Sequence, residues 1–278
     1  MYRKFILVST IFLGLMISSC NHTKNENKNP KSESSSIEQE DTAAVARTAN
    51  STKQILAKQQ VPVLCYHRIS DGNKSDYTVS PATFSAHMKV LADSGYHSVS
   101  PAQLYDYLVF NKILPEKPFV VTFDDSRVEH RTIAAPVLEK YGFRGAFFIM
   151  TITYNKKNYM TKDQIAELAK AGHTIGLHSW DHTMVTKYLE LADWQKQVIE
   201  PKKKLEAIVG KPVEYWAYPN GVYNHTGATE LSKYFKLSFS LATKRDSIQP
   251  LQSVRRIIVP ECTPQGLLKS MRRSFTGK

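Results

Sequence analysis

Apolar and polar positions alternate in blocks along most of the chain. Residues 61–66 form an unbroken apolar run, and a strand is predicted there. Phe119-Val120-Val121-Thr122-Phe123 is a second such run and leads straight into Asp124-Asp125. β-Branched and aromatic residues without polar interruption predict a strand buried on both faces, the pattern of a parallel sheet. Further strands are predicted over 146–150, 173–177, 215–218, 237–241 and 254–259. Helical signals lie between them. Ser80-Pro81 and Ser100-Pro101 each pair an N-cap with a proline at the first helical position. Phe84, Met88, Leu91 and Ala92 then form one stripe that stops at Gly95; Leu104, Tyr107 and Leu108 form another. Helices are also predicted over about 133–141, from Thr161 to Gly172, over 192–209 with a kink at Pro201, and over 227–234 and 264–272. Alternating strands and helices predict an α/β fold with helices outside a parallel sheet. The number of units predicts a barrel rather than an open sheet, and no 20–50-residue repeat suggests a solenoid.

The start of the chain breaks this pattern. Arg3 and Lys4 precede a short apolar stretch, Phe5 to Met16, too short to span a membrane. Ile17-Ser18-Ser19-Cys20 resembles the lipobox of bacterial lipoproteins. The expectation for residues 1–20 is a lipoprotein signal, cleaved before Cys20, with lipid attached to that sulfur; the alternative is an ordinary secretory signal. Residues 21–58 are dominated by Asn, Lys, Ser, Glu and Thr, and are expected to form a disordered tether because they cannot bury enough surface to offset ordering. That leaves 59–278 as the folded domain, located in the cell envelope and anchored to a membrane. Of 278 residues, 42% are hydrophobic, enough for a sizeable core. The 37 Lys+Arg against 25 Asp+Glu give a net charge of +12, which suggests an anionic neighbour. No nucleic-acid-binding module is visible, so a membrane surface or an acidic polymer is expected instead.

Four predicted strand ends carry polar groups: Tyr66-His67, Asp124-Asp125, His178-Ser179-Trp180-Asp181-His182, and Ala217-Tyr218-Pro219-Asn220-Gly221. In a parallel barrel all such ends share one face. The aspartates belong at that end because burying two carboxylates within a strand is costly. His178 and His182 lie four apart, and on a helical turn both imidazoles would share a face and a metal. An HxxxH spacing is weak by itself, but its position after an apolar strand strengthens it. Adjacent residues in extended chain point to opposite sides, so Asp125 can ligate a cation while Asp124 faces a reacting water. An N-cap role would explain one aspartate but not the pair. Trp180 and Tyr218 suit either sugar stacking or core packing. Cys65 and Cys262 suit either one disulfide or free thiols.

Thr122-Phe123-Asp124-Asp125, His178-Ser179-Trp180-Asp181-His182 and Tyr218-Pro219-Asn220-Gly221 occur in the order found in the polysaccharide deacetylase family (carbohydrate esterase family 4, NodB-like), which the chain resembles from about Val61 to Arg273. The run from Pro62 to Ile69 resembles the opening motif of the branch that contains poly-β-1,6-N-acetylglucosamine deacetylases. The resemblance implies a distorted (β/α) barrel. It implies Zn2+, or another divalent transition metal, held by Asp125, His178 and His182, with Asp124 as catalytic base. It implies the backbone N–H of Tyr218 as an oxyanion donor, and Tyr218, Pro219 and Trp180 at the substrate. The implied reaction is removal of N-acetyl groups from an N-acetylglucosamine polymer by a monomer. The alternatives are a deacetylase of peptidoglycan or chitin oligomers, an O-acetyl xylan esterase, or a silent carbohydrate-binding lipoprotein. Three positions depart from the family. Ser126 stands where glycine is common, Ala217 stands where an arginine pairs with the base, and the late Leu-x-His motif is missing after Val254. His67, at a strand end on the same face, is the expected substitute acid, or else an orienting or core histidine. Arg255 or Arg256 is the expected substitute for the arginine.

Overall fold

The computed structural model describes residues 48–72 and 75–275; the expected signal, Cys20 and most of the expected tether lie outside them. Every pairing in the main sheet is parallel. From one edge the order is Val254–Arg255, Leu237–Ser240, Tyr215–Ala217, Thr174–Leu177, Ala146–Ile149, Pro118–Phe123, Val63–Tyr66 and Ile257–Ile258. The two edge strands are consecutive in sequence, separated by Arg256 alone. Val254 sits opposite Phe239, and Ile257 sits opposite Leu64. One run of chain therefore bridges both edges and curls the sheet into a (β/α) barrel. The run 254–259 expected as one strand is thus two, broken at the residue where it changes partner. The fold and the parallel sheet are as expected, and a short strand at His97–Ser98 adds to the outside of Pro118–Phe123.

Strand alternation divides the core in two. Val63, Val120, Ala146, Phe148, Ala217, Phe239 and Val254 pack together inside the barrel. Leu64, Tyr66, Val121, Phe123, Phe147, Ile149, Trp216 and Tyr218 pack outward under the helices. The outer layer is rich in aromatic contact: Phe123 stacks on Phe147 at 4.7 Å between centroids. The inner layer is narrow. A Cβ on Gly176 would come within 2.4 Å of Phe148, so only glycine lets that ring cross the barrel.

The helices begin where side chains can satisfy their free N–H groups. Ser80 caps Pro81–Asp93, and Ser100 and Thr161 form capping boxes for Pro101–Phe110 and Lys162–Lys170. Two expectations need correction. The helix expected over 192–209 is interrupted by a π-turn at Gln195–Ile199, and Pro201 sits in the first turn of Glu200–Val209, where its missing N–H is harmless. Residues 52–57, assigned to the tether, form a helix capped by Ser51, with Ile55 buried and Arg245 donating to the carbonyls of Ile55 and Leu56.

Candidate metal centre

Thr122 and Asp124 continue the inward phase set by Val120. They meet Arg256, inward from the closing strand. Arg256 donates to both oxygens of Asp124, at 2.7 Å each, and to Thr122 Oγ1 at 3.1 Å. Both partners are buried. Arg255 points the other way and donates to Gln60 Oε1 and the Ser274 carbonyl. Of the two candidate arginines, Arg256 is the one that pairs with Asp124, from a different strand than the one carrying Ala217. Burial alone would raise the Asp124 carboxyl, but the charge and hydrogen bonds of Arg256, together with the nearby His178 and His67, outweigh it and hold the group well below the usual carboxylate range.

Asp125 does not continue the strand. Its φ is +73°, and that of Ser126 is +58°. After this turn the Asp125 carboxylate reaches the same His178 Nε2 that Asp124 approaches, 3.5 Å from Asp125 Oδ1 and 3.9 Å from Asp124 Oδ2, so the expected alternation of the pair is replaced by a left-handed turn. It also explains why glycine is common at position 126. Ser126 compensates by accepting the Met150 N–H on Oγ at 2.7 Å.

His178 follows Thr174–Leu177 and points inward. Its Nδ1 lies 2.7 Å from the Ala217 carbonyl, which can only accept, so Nδ1 carries the proton and Nε2 presents a lone pair. His182 arrives by a different route than expected. Residues 178–182 form no helical turn; Ser179 (φ +64°) and His182 (φ +73°) are both left-handed, and Ser179 Oγ accepts the His182 N–H at 2.8 Å. This tight loop still brings His182 Nε2 to 3.6 Å and His178 Nε2 to 3.5 Å from Asp125 Oδ1. One donor atom from each of Asp125, His178 and His182 lies within 4.8 Å of the others.

Two of these atoms, Asp125 Oδ1 and His178 Nε2, are buried without a hydrogen-bond partner. Buried polar atoms are rarely left so, because the desolvation penalty is not recovered. Their shared direction fits a cation, and two imidazole nitrogens with one carboxylate oxygen suit zinc or another divalent transition metal with positions left open. The electrostatics agree. Burial would raise Asp125, but the close approach of His178 and the neighbouring imidazoles bring it down to about 2. Burial keeps His182 below its ordinary range.

His67 Nε2 lies 4.0 Å from Asp124 Oδ2. Burial lowers its pKa against the pull of the Asp124 charge. Its carbonyl accepts from His130 Nε2 at 2.5 Å. Both cysteines are free, so the disulfide is not formed. Cys65 Sγ approaches Asp124 Oδ2 at 3.6 Å from inside the barrel, while Cys262 lies beside His87.

The expected substrate contacts fare differently. Tyr218 is fully buried and faces outward: its hydroxyl donates to the Gln252 carbonyl and its N–H donates to the Phe239 carbonyl. Neither its ring nor its N–H is available, so the stacking and oxyanion roles expected of it are wrong. Pro219 is buried as well. Trp180 is half-buried, with Lys196 over its ring at 4.6 Å. The residues that do line the cavity of about 370 Å³ beside Asp124, Asp125, His178 and His182 include His67, Tyr77, Asn220 and Leu241. Asn220 had a signal: Pro-Asn-Gly is a turn sequence, and Asn220 (φ +57°) and Gly221 (φ +67°) both adopt left-handed backbone. Tyr77, half exposed and edge-on to His67 at 5.2 Å, had none.

The profile described as Polysaccharide deacetylase matches residues 111–235. The chain is 31% identical over 203 residues to YxkH of Bacillus subtilis, assigned to the polysaccharide deacetylases, covering 72% of this chain and 69% of that one. It is 25% identical to the poly-beta-1,6-N-acetyl-D-glucosamine N-deacetylase of Staphylococcus aureus, over 96% of both chains. Among solved structures, a polysaccharide deacetylase from Bacillus cereus matches with a TM-score of 0.67 at 29% identity, covering 77% of this chain and 69% of that one.

Proposed function

Because the chain belongs to the polysaccharide deacetylase family, we propose that it is a metal-dependent hydrolase that removes N-acetyl groups from an N-acetylglucosamine polymer outside the cytoplasm. The observation that carries the metal dependence is the pair of orphaned buried atoms, Asp125 Oδ1 and His178 Nε2, meeting beside a separately ionised Asp124. The β-1,6-linked polymer is the preferred substrate, supported by the 62–69 motif and by the length of the match to the Staphylococcus aureus enzyme. The lipobox-like Ile17-Ser18-Ser19-Cys20 supports a lipid anchor on Cys20.

A divalent ion held by Asp125, His178 and His182 would polarise the acetyl carbonyl and make water more acidic. Asp124 takes the proton of the attacking water as oxygen bonds to the acetyl carbon. Arg256 keeps Asp124 ionised and fixes its plane. The C–N bond then breaks, and the leaving nitrogen needs a proton. His67 Nε2, at the mouth of the same cavity and 4.0 Å from Asp124 Oδ2, supplies it, with the water's proton passing on from Asp124. Acetate and a free amine result. With Arg256 in place, the lack of an arginine at position 217 is no longer a ground for a silent binding module.

Three observations test this reading. Free amine should appear when the full chain meets acetylated β-1,6-linked glucosamine oligomers, stop on chelation and return with zinc. Release that persists in metal-free protein would sink it, and faster release from β-1,4 oligomers or peptidoglycan would reassign the substrate. Cys20→Ala should leave the protein in the soluble fraction; continued membrane retention would refute the anchor. His67→Ala should lower kcat by about 10²- to 10⁴-fold, the usual weight of general acid catalysis, with metal content near that of the unmodified protein. Metal loss in that variant would reject the acid assignment.

A further inference from the structure

The metal centre lies between two cavities, not at the end of one. The second, of about 390 Å³, shares Arg68, Asp125 and His182 with the first and extends toward Arg127, Lys156 and Tyr159. The two arms differ in charge. On the first, Tyr77, Asn220 and Leu241 offer neutral surface. On the second, Arg127 lies over the Tyr159 ring at 4.8 Å, and Lys156 is exposed beside it. Among the described residues neither cation has a carboxylate within ion-pair distance. Of the other charges of this arm, Arg68 faces Glu129 at 3.6 Å and Asp125 belongs to the proposed metal centre, while Asp181, which accepts from the N–H and hydroxyl of Thr183, keeps its negative charge under the influence of Lys196.

We infer that the arm formed by Arg127, Lys156 and Tyr159 is a sugar subsite that admits an acetylated or anion-bearing unit and rejects one that carries a free amine. This rests on the deacetylase reading and adds to it a rule for where the enzyme acts. Arg127 covers one face of the Tyr159 ring, and the two cations, which outnumber the one remaining acid, Asp181, set the sign of what can lie there. Deacetylation turns a neutral substituent into a protonated amine. A unit that has reacted is therefore repelled if it moves into this arm, while the opposite arm tolerates it. Free amines then come out spaced along the polymer instead of in runs.

The test compares a fully acetylated β-1,6-linked glucosamine pentamer with two pentamers that carry one free amine, placed on either side of the reacting unit. With the full-length protein, one amine position should lower kcat/KM by about five-fold, the effect of about 1 kcal/mol between partly screened like charges, and the other should not. Added salt should shrink that ratio. In Arg127→Gln/Lys156→Gln, and partly in Lys156→Gln alone, the ratio should fall toward one. Equal rates on both amine-bearing pentamers, or a ratio unchanged in the double variant, would overturn the subsite. Equilibrium binding of the same pentamers, followed by calorimetry, gives a reading that needs no turnover. The same five-fold preference in binding supports the subsite even where no oligomer is hydrolysed, an outcome that would instead reject the deacetylase reading; equal binding of all three pentamers overturns the subsite.

Discussion

Arg256→Met is expected to destabilise the protein by about 3–5 kcal/mol and to remove most of its activity. Substitution leaves the Asp124 carboxylate buried with no counter-charge, and breaking one side of a buried pair costs about that much. Two features sharpen the expectation. Asp124→Asn/Arg256→Met should recover much of the lost stability, because no unpaired carboxylate remains, while activity stays low. The loss should also depend on pH. In the unmodified protein the Asp124 carboxyl is held low, so its contribution is present above the ordinary carboxylate range, near about 3.9, and fades as pH falls through and below it. In the variant, burial without Arg256 raises the group, so stability is lost as pH rises through the raised value. The gap between the two proteins should therefore narrow on acidification from about pH 7 to about pH 4. Urea midpoints at several pH values would check this; a gap that widens toward acid would mean that Arg256 does not serve Asp124 in the folded state.

Asp124→Asn and His178→Ala should each cut turnover severely, yet they should separate cleanly in metal content. His178 supplies a buried ligand atom held in one tautomer by the Ala217 carbonyl, so its removal should take bound zinc from about one per chain to near none after dialysis. Activity should fall by about 10³-fold or more, since a divalent ion contributes several kcal/mol to charge stabilisation. Asp124 engages Arg256 instead, so Asp124→Asn should keep its metal while losing about 10²- to 10⁴-fold in kcat. Elemental analysis of the two purified variants decides the matter. Full zinc in His178→Ala would mean that His178 is not a ligand, and none in Asp124→Asn would mean that Asp124 holds the metal and the two aspartates have been assigned the wrong tasks.

Much of this arrangement was legible in the sequence because strand periodicity and motif order are local properties. The apolar run ending on Asp124-Asp125 located both the barrel and its working end. What escaped had physical causes. Tyr218 was misread because its motif neighbours suggested a substrate contact, whereas alternation along Tyr215–Ala217 places Ala217 inward and Tyr218 outward. The choice between Arg255 and Arg256 depends on the phase of a strand that changes partner midway, which no hydrophobic pattern encodes. The approach of His182 to Asp125 depends on left-handed backbone at Asp125, Ser179 and His182, and non-glycine residues give little sign of that. Tyr77, Arg127 and Tyr159 reach the cleft from connecting segments, where spacing carries no information about direction.

The seam of the barrel has a consequence for biosynthesis. Arg256 completes the ring of strands and also pairs with the Asp124 carboxylate, and it lies within the final tenth of the chain. Chains grow from the amino terminus, so every other catalytic and ligand residue emerges before the counter-ion does. A nascent or truncated molecule that ends before Val254 has an open staircase of strands and an acid with nothing to hold it. Under the proposed function, competence to hydrolyse would therefore arrive in one step with the last strand.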